Sequence, residues 1–98
     1  MVENPEPMVR VPVRVLLPPA LLRLFPAAPA ELTENAATVA DLIDRLDVHW
    51  PGMRDRLCDS SPAVRRHINI FVDGTRATLD ARLHQGAEIF IMTAISGG

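Results

Sequence analysis

The sequence predicts an α+β fold: a mixed five-stranded sheet packed on one main helix. Three observations lead there. Apolar residues alternate near both ends of the chain, as strands require. One central stretch repeats its apolar residues at helical spacing. The elements run strand, strand, helix, strand, strand, strand, and a single helix covers only one face of such a sheet.

Residues 1–9, MVENPEPMV, hold Pro and Glu without periodicity and read as a mobile leader. In residues 10–17, RVPVRVLL, Val11, Val13, Val15 and Leu17 share one face. Arg10, Pro12, Arg14 and Leu16 share the other. Pro12 lacks an N–H, so this strand has an edge or an unbonded site there. The following PPALLRLFPAAP is rich in proline and reads as a long turn anchored by Leu22 and Phe25. A short second strand is expected over residues 30–35.

Thr38-Val39-Ala40-Asp41 resembles a capping box and opens the helix. Val39, Leu42, Ile43 and Leu46 form its buried stripe, with Asp41, Asp44, Arg45 and Asp47 expected on the wet face. Pro51-Gly52 ends it. Residues 53–58, MRDRLC, suggest a short helical turn with Met53 and Leu57 inward. Residues 67–73, HINIFVD, are the clearest strand: Ile68, Ile70 and Val72 face one way, His67, Asn69 and Phe71 the other. Asp73-Gly74 signals a hairpin, with a returning strand over residues 75–79. Gly86 suits a positive φ in the connector. Residues 88–93 form the last strand, Ile89 and Ile91 alternating with Phe90 and Met92.

Ninety-eight residues make one domain, expected over 10–93 and followed by a flexible tail over 94–98. A net charge of −2 offers no basic field for nucleic acid. No apolar run approaches the ~20 residues of a membrane span. The first residues lack a signal-peptide pattern, so a cytoplasmic location is expected. All ten basic residues are arginine. Genomic compositional bias is the favoured explanation, although a lysine-free surface would also spare an activated C-terminus from self-acylation. Cys58 is the single cysteine, which excludes an internal disulfide and a cysteine-rich metal site. His49, His67 and His84 lack ligand spacing, so no metal is expected.

The sequence closes on Ser96-Gly97-Gly98. Glycines without Cβ make a thin tail that can thread a narrow tunnel and present a carboxylate to another enzyme. The five extended residues 94–98 reach roughly 17 Å. With the element order, this end resembles the ubiquitin-like β-grasp fold, and within it the ThiS/MoaD family of sulfur carriers. The most specific segments are Gly97-Gly98, HINIFVDG and the short apolar strand leading to the tail. Narrower likeness to CysO-type carriers of cysteine biosynthesis rests on Pro19-Ala20-Leu21-Leu22-Arg23, Pro51-Gly52-Met53-Arg54-Asp55-Arg56-Leu57 and Arg66-His67-Ile68-Asn69-Ile70-Phe71-Val72.

The resemblance implies a carrier rather than an enzyme. A ubiquitin-activating-type adenylating enzyme would use ATP to join the Gly98 carboxylate to AMP, and sulfur would displace AMP to leave a thiocarboxylate. Gly97 and Ser96 would thread the partner's site. No cofactor would be bound by the chain itself. In the CysO-like case a PLP-dependent cysteine synthase would accept the sulfur, and a metalloprotease would release cysteine. Molybdopterin and thiamin synthesis are the alternative destinations.

Parity argues for a docking face. With the helix over Val13, Val15, Ile68, Ile70, Ile89 and Ile91, the residues Phe71, Phe90 and Met92 lie on the open face beside the tail. Alternatively, the proline-rich segment folds over them. Arg10 and Arg14 flank that face and could meet acidic partner residues, or could be solvated surface charges. Three other readings stay open: a protein modifier forming isopeptides through Gly98, a persulfide carrier working through Cys58, and a binding module whose Gly-Gly is accidental.

Overall fold

The structure is a computed structural model that describes residues 9–61 and 63–93. Except for Val9, the expected leader lies outside the described residues, as does the expected tail. The elements are β1 (Val11–Leu16), α1 (Pro19–Leu24), β2 (Glu31–Ala36), α2 (Val39–His49), α3 (Met53–Leu57), β3 (Ile68–Val72), β4 (Thr75–Arg76) and β5 (Glu88–Thr93). The sheet order is β2-β1-β5-β3-β4. Strands β1 and β5 run parallel, and the remaining pairs are antiparallel. This is the mixed five-stranded α+β architecture that the sequence predicts.

Period-two alternation sends Val13, Val15, Ile68, Ile70, Ile89 and Ile91 to one face of the sheet, where all are buried. Helix α2 meets them with Val39, Leu42, Ile43 and Leu46, and α3 adds Met53 and Leu57. Each such fully buried aliphatic side chain contributes about 1.5–3 kcal/mol. Asp73 and Gly74 both have positive φ, 51° and 86°, which joins β3 to β4 by a two-residue turn. Gly86 also takes the expected positive φ.

Two elements differ from expectation. The proline-rich segment contains a helix, α1, rather than only a loop. Proline fits the first helical position because its missing N–H would be unpaired there anyway. Leu21 is buried, and Leu22 and Phe25 pack against the core. Strand β4 stops at Arg76 instead of reaching residue 79; one further bond, from Ala77 N–H to Ile70 C=O, closes the pairing before the chain turns away.

The start of α2 holds a third difference. Thr38 caps it as expected, its hydroxyl accepting from Asp41 N–H at 3.0 Å. Asp41 is buried rather than wet, at 6% exposure. Its carboxylate accepts Ala37 N–H at 2.9 Å and both prongs of the Arg10 guanidinium. Asp47 accepts the backbone N–H groups of Gly52 and Arg54, pinning the turn that leads from α2 into α3.

Candidate functional site: the open sheet face and the end of β5

The face of the sheet turned away from α2 is assembled by register. Phe90 on β5 stands opposite Leu16 on β1 and Phe71 on β3. Arg76 on β4 stands opposite Phe71, and Glu31 on β2 opposite Leu16. One row therefore crosses all five strands: Glu31, Leu16, Phe90, Phe71, Arg76. In the adjoining register Met92 pairs with Asn69. Phe90 is 38% exposed and Met92 48% exposed, while Phe71 is half-buried.

The proline-rich segment leaves this face open. Phe25 turns toward the core, and Leu16, Pro18 and Pro19 instead line a shallow groove with Phe90, Met92 and Thr93. Thr93 is the last described residue before 94–98, so the groove ends where the expected tail begins. An exposed apolar patch beside a chain end is a surface on which another protein can close.

The two candidate arginines part company. Arg14 borders the face but is paired with Glu31, and with Glu88 at 3.5 Å. Arg10 is held by Asp41, and its guanidinium is kept charged by that hydrogen bond and its Coulomb attraction. The structure thus brings together Phe71, Phe90, Met92 and Arg14, and assigns Arg10 to the α2 N-terminus. Ser96, Gly97 and Gly98 lie outside the described residues.

Sequence reasoning missed Leu16 and Arg76. Leu16 had a signal: it is the apolar member of the polar face of β1. Arg76 had none, because its place beside Phe71 depends on the hairpin register.

Cys58 is 4% exposed, and its backbone forms a bridge with Val64. Burial pushes its thiol pKa up, against the lowered value that sulfur chemistry needs. Among the described residues, no group of three or more His, Cys, Asp or Glu could hold a metal ion. No helix among the described residues is long and apolar enough to cross a membrane. His49 approaches buried Glu34 at 3.0 Å, and His84 approaches Asp73 at 2.5 Å.

The family model described as the ThiS family matches residues 23–98. The chain belongs to the ThiS family. It is thereby a member of the ThiS/MoaD-type ubiquitin-like carrier and modifier proteins, small carriers that are generally not enzymes themselves. Solved structures share the fold. A chain of the Amycolatopsis orientalis BexX/CysO complex is 27% identical, with a TM-score of 0.76, over 88% of this chain and 99% of that one. CysO of Mycobacterium tuberculosis is 24% identical, with a TM-score of 0.73, over 85% and 99%. The small archaeal modifier protein 1 of Haloferax volcanii is 24% identical, with a TM-score of 0.74, over 89% and 99%. No curated protein matches the sequence. These likenesses give this ThiS-family chain its ubiquitin-like β-grasp fold.

Proposed function

We propose that this ThiS-family protein is a sulfur carrier whose Gly98 carboxylate becomes a thiocarboxylate, serving cysteine biosynthesis in the cytoplasm. The observation that carries the reading is the family match, which runs through Gly97-Gly98. A ubiquitin-activating-type enzyme joins the carboxylate to AMP at the expense of ATP, releasing pyrophosphate. Hydrosulfide then adds to the acyl carbon, the C–S bond forms, and AMP leaves. The chain needs no catalytic side chain for this, since the activating enzyme supplies the groups and binding supplies orientation. Ser96 and Gly97 thread the partner's site while Phe71, Phe90 and Met92 form the docking face.

The destination is inferred from the CysO likeness. The 27% identical relative was solved in a complex of CysO with BexX, and this supports a carrier that docks on a second protein. In this reading a PLP-dependent cysteine synthase accepts the sulfur and a metalloprotease releases cysteine. Binding to a PLP enzyme, rather than to a larger pterin-synthase subunit, would separate it from the molybdopterin alternative.

Intact-mass spectrometry tests the central step. The chain is incubated with its adenylating enzyme, ATP and sulfide. The expected product has oxygen replaced by sulfur in the C-terminal fragment, and the chain lacking Gly98 shows no exchange. The likeness to an archaeal modifier protein gives a second reading, for which conjugates on target lysines without exchange would be the product. Sulfur loading that persists without Gly98 would overturn the proposal.

A further inference from the structure

Among the described residues, four of the ten arginines make ion pairs with carboxylates and six do not. Arg10, Arg14, Arg45 and Arg54 approach carboxylates within ion-pair distance. Arg65, Arg66 and Arg76 make no ion pair among the described residues, and all three line one groove. It lies beneath the outer edge of β3, between the loop after Cys58 and the point where the chain leaves β4. Its apolar lining includes half-buried Val64, Ala77 and Leu79. The carboxylate in the groove, that of Asp80, already accepts a hydrogen bond from the Thr78 hydroxyl. Arg65 is anchored there by its Nε, which donates to the Asp55 carbonyl at 2.7 Å.

Three guanidinium groups with no carboxylate partner among the described residues gather around one apolar strip, on a chain whose net charge is −2. Guanidinium groups match carboxylates in planar, two-pronged geometry. A partner that is both acidic and aliphatic would satisfy the rim and the strip together. No aromatic residue lines the groove, so it offers a nucleic acid base nothing to stack on. The groove also adjoins the end of β5: Ile68, in its lining, pairs with Thr93. A protein gripping the chain beyond Thr93 would lie one strand away.

We propose that this groove docks an extended acidic segment of a partner protein. Its carboxylates meet Arg65, Arg66 and Arg76, and its aliphatic side chains lie over Val64, Ala77 and Leu79. The surface meets the row of Phe71 and Phe90 only at Arg76, and its use does not require an activated Gly98. Complementary charge of this kind sets the rate of encounter and the choice of partner.

The test titrates the isotope-labelled, unloaded 98-residue chain with a synthetic peptide alternating glutamate and valine. Expected are amide shifts at Arg66, Ile68, Ile70 and Ala77 that weaken with added salt. The double variant Arg65→Glu with Arg66→Glu should keep a dispersed spectrum and bind roughly tenfold more weakly. The milder pair Arg65→Gln with Arg66→Gln serves if the charge reversal fails to fold. Equal shifts from a lysine–valine peptide, from inorganic phosphate or from a single-stranded oligonucleotide would overturn the proposal. So would shifts confined to Phe71, Phe90 and Met92, or no shifts at all. Thiocarboxylate loading, measured separately, is expected to be unchanged in these variants, so the failure of either idea leaves the other standing.

Discussion

Arg10 and Asp41 are joined by two hydrogen bonds of 2.9 Å, which tie the residue before β1 to the first turn of α2. The same carboxylate accepts Ala37 N–H, so one buried side chain holds β1, the β2–α2 connection and the helix start together.

Replacing Asp41 with Ala leaves the buried Ala37 N–H without its acceptor and Arg10 without its partner. The expected loss is about 2–3 kcal/mol of stability, measured by urea denaturation. The Asp41 pKa is lowered, foremost by the hydrogen bond from Arg10 and further by Ala37 N–H, against an opposing contribution from burial. A depressed carboxylate stabilises the fold above its unfolded pKa, near 3.9. That stability is lost as pH falls through the lower folded value. The Asp41→Asn variant should therefore show a flatter acid limb than the parent.

Ile89 and Phe90 are neighbours in sequence on opposite faces of β5. Ile89→Ala should cost about 2–5 kcal/mol, because Ile89 is fully buried. Phe90→Ala should cost much less and instead weaken binding to the adenylating enzyme. Thermal melts and a binding titration on the same two variants check both expectations. Equal destabilisation by both would argue that Phe90 is a core residue.

The pair formed by His84 and Asp73 gives a second pH signature. The His84 pKa is raised, first by its hydrogen bond to Asp73 and then by Gln85. The Asp73 pKa is lowered, chiefly by Glu88 N–H and then by His84. The His84 contribution is fully present below the ordinary histidine value of about 6.5 and fades as pH rises through the raised one. The Asp73 contribution fades at the acid end, as pH falls through its lowered value. Both groups are exposed, so the effect on stability is small. An NMR titration should place the His84 midpoint above the ordinary value, and Asp73→Asn should lower it.

Cys58 should be slow toward thiol reagents in the native protein and fast in denaturant, since burial both hides it and raises its pKa. Cys58→Ser should retain sulfur loading in the mass-spectrometric assay. Loss of loading in a folded variant would return the persulfide reading to consideration.

Much of this fold was legible in the residues themselves. Alternation placed the inward isoleucines and valines, helical spacing placed Leu42 and Leu46, and Asp73-Gly74 placed the hairpin. These signals are local, because backbone geometry alone fixes periods of 2 and 3.6 and the turn chemistry. The family was likewise legible, its resemblance resting on Gly97-Gly98, HINIFVDG and the last strand, and the ThiS family model matches residues 23–98.

Tertiary structure decided what depends on neighbours distant in sequence. Asp41 looked like a wet-face residue until Arg10, 31 positions away, was brought against it. Glu34 is buried because His49 and Arg45 on α2 approach it across the β2–α2 contact. The row from Glu31 through Phe90 to Arg76 exists only once strand order and register are set. Local preference names the element and its apolar side. Which charges are neutralised and which stay free follows from the packing of whole elements, where burial makes an unpaired polar group costly and the partner must come from elsewhere in the chain.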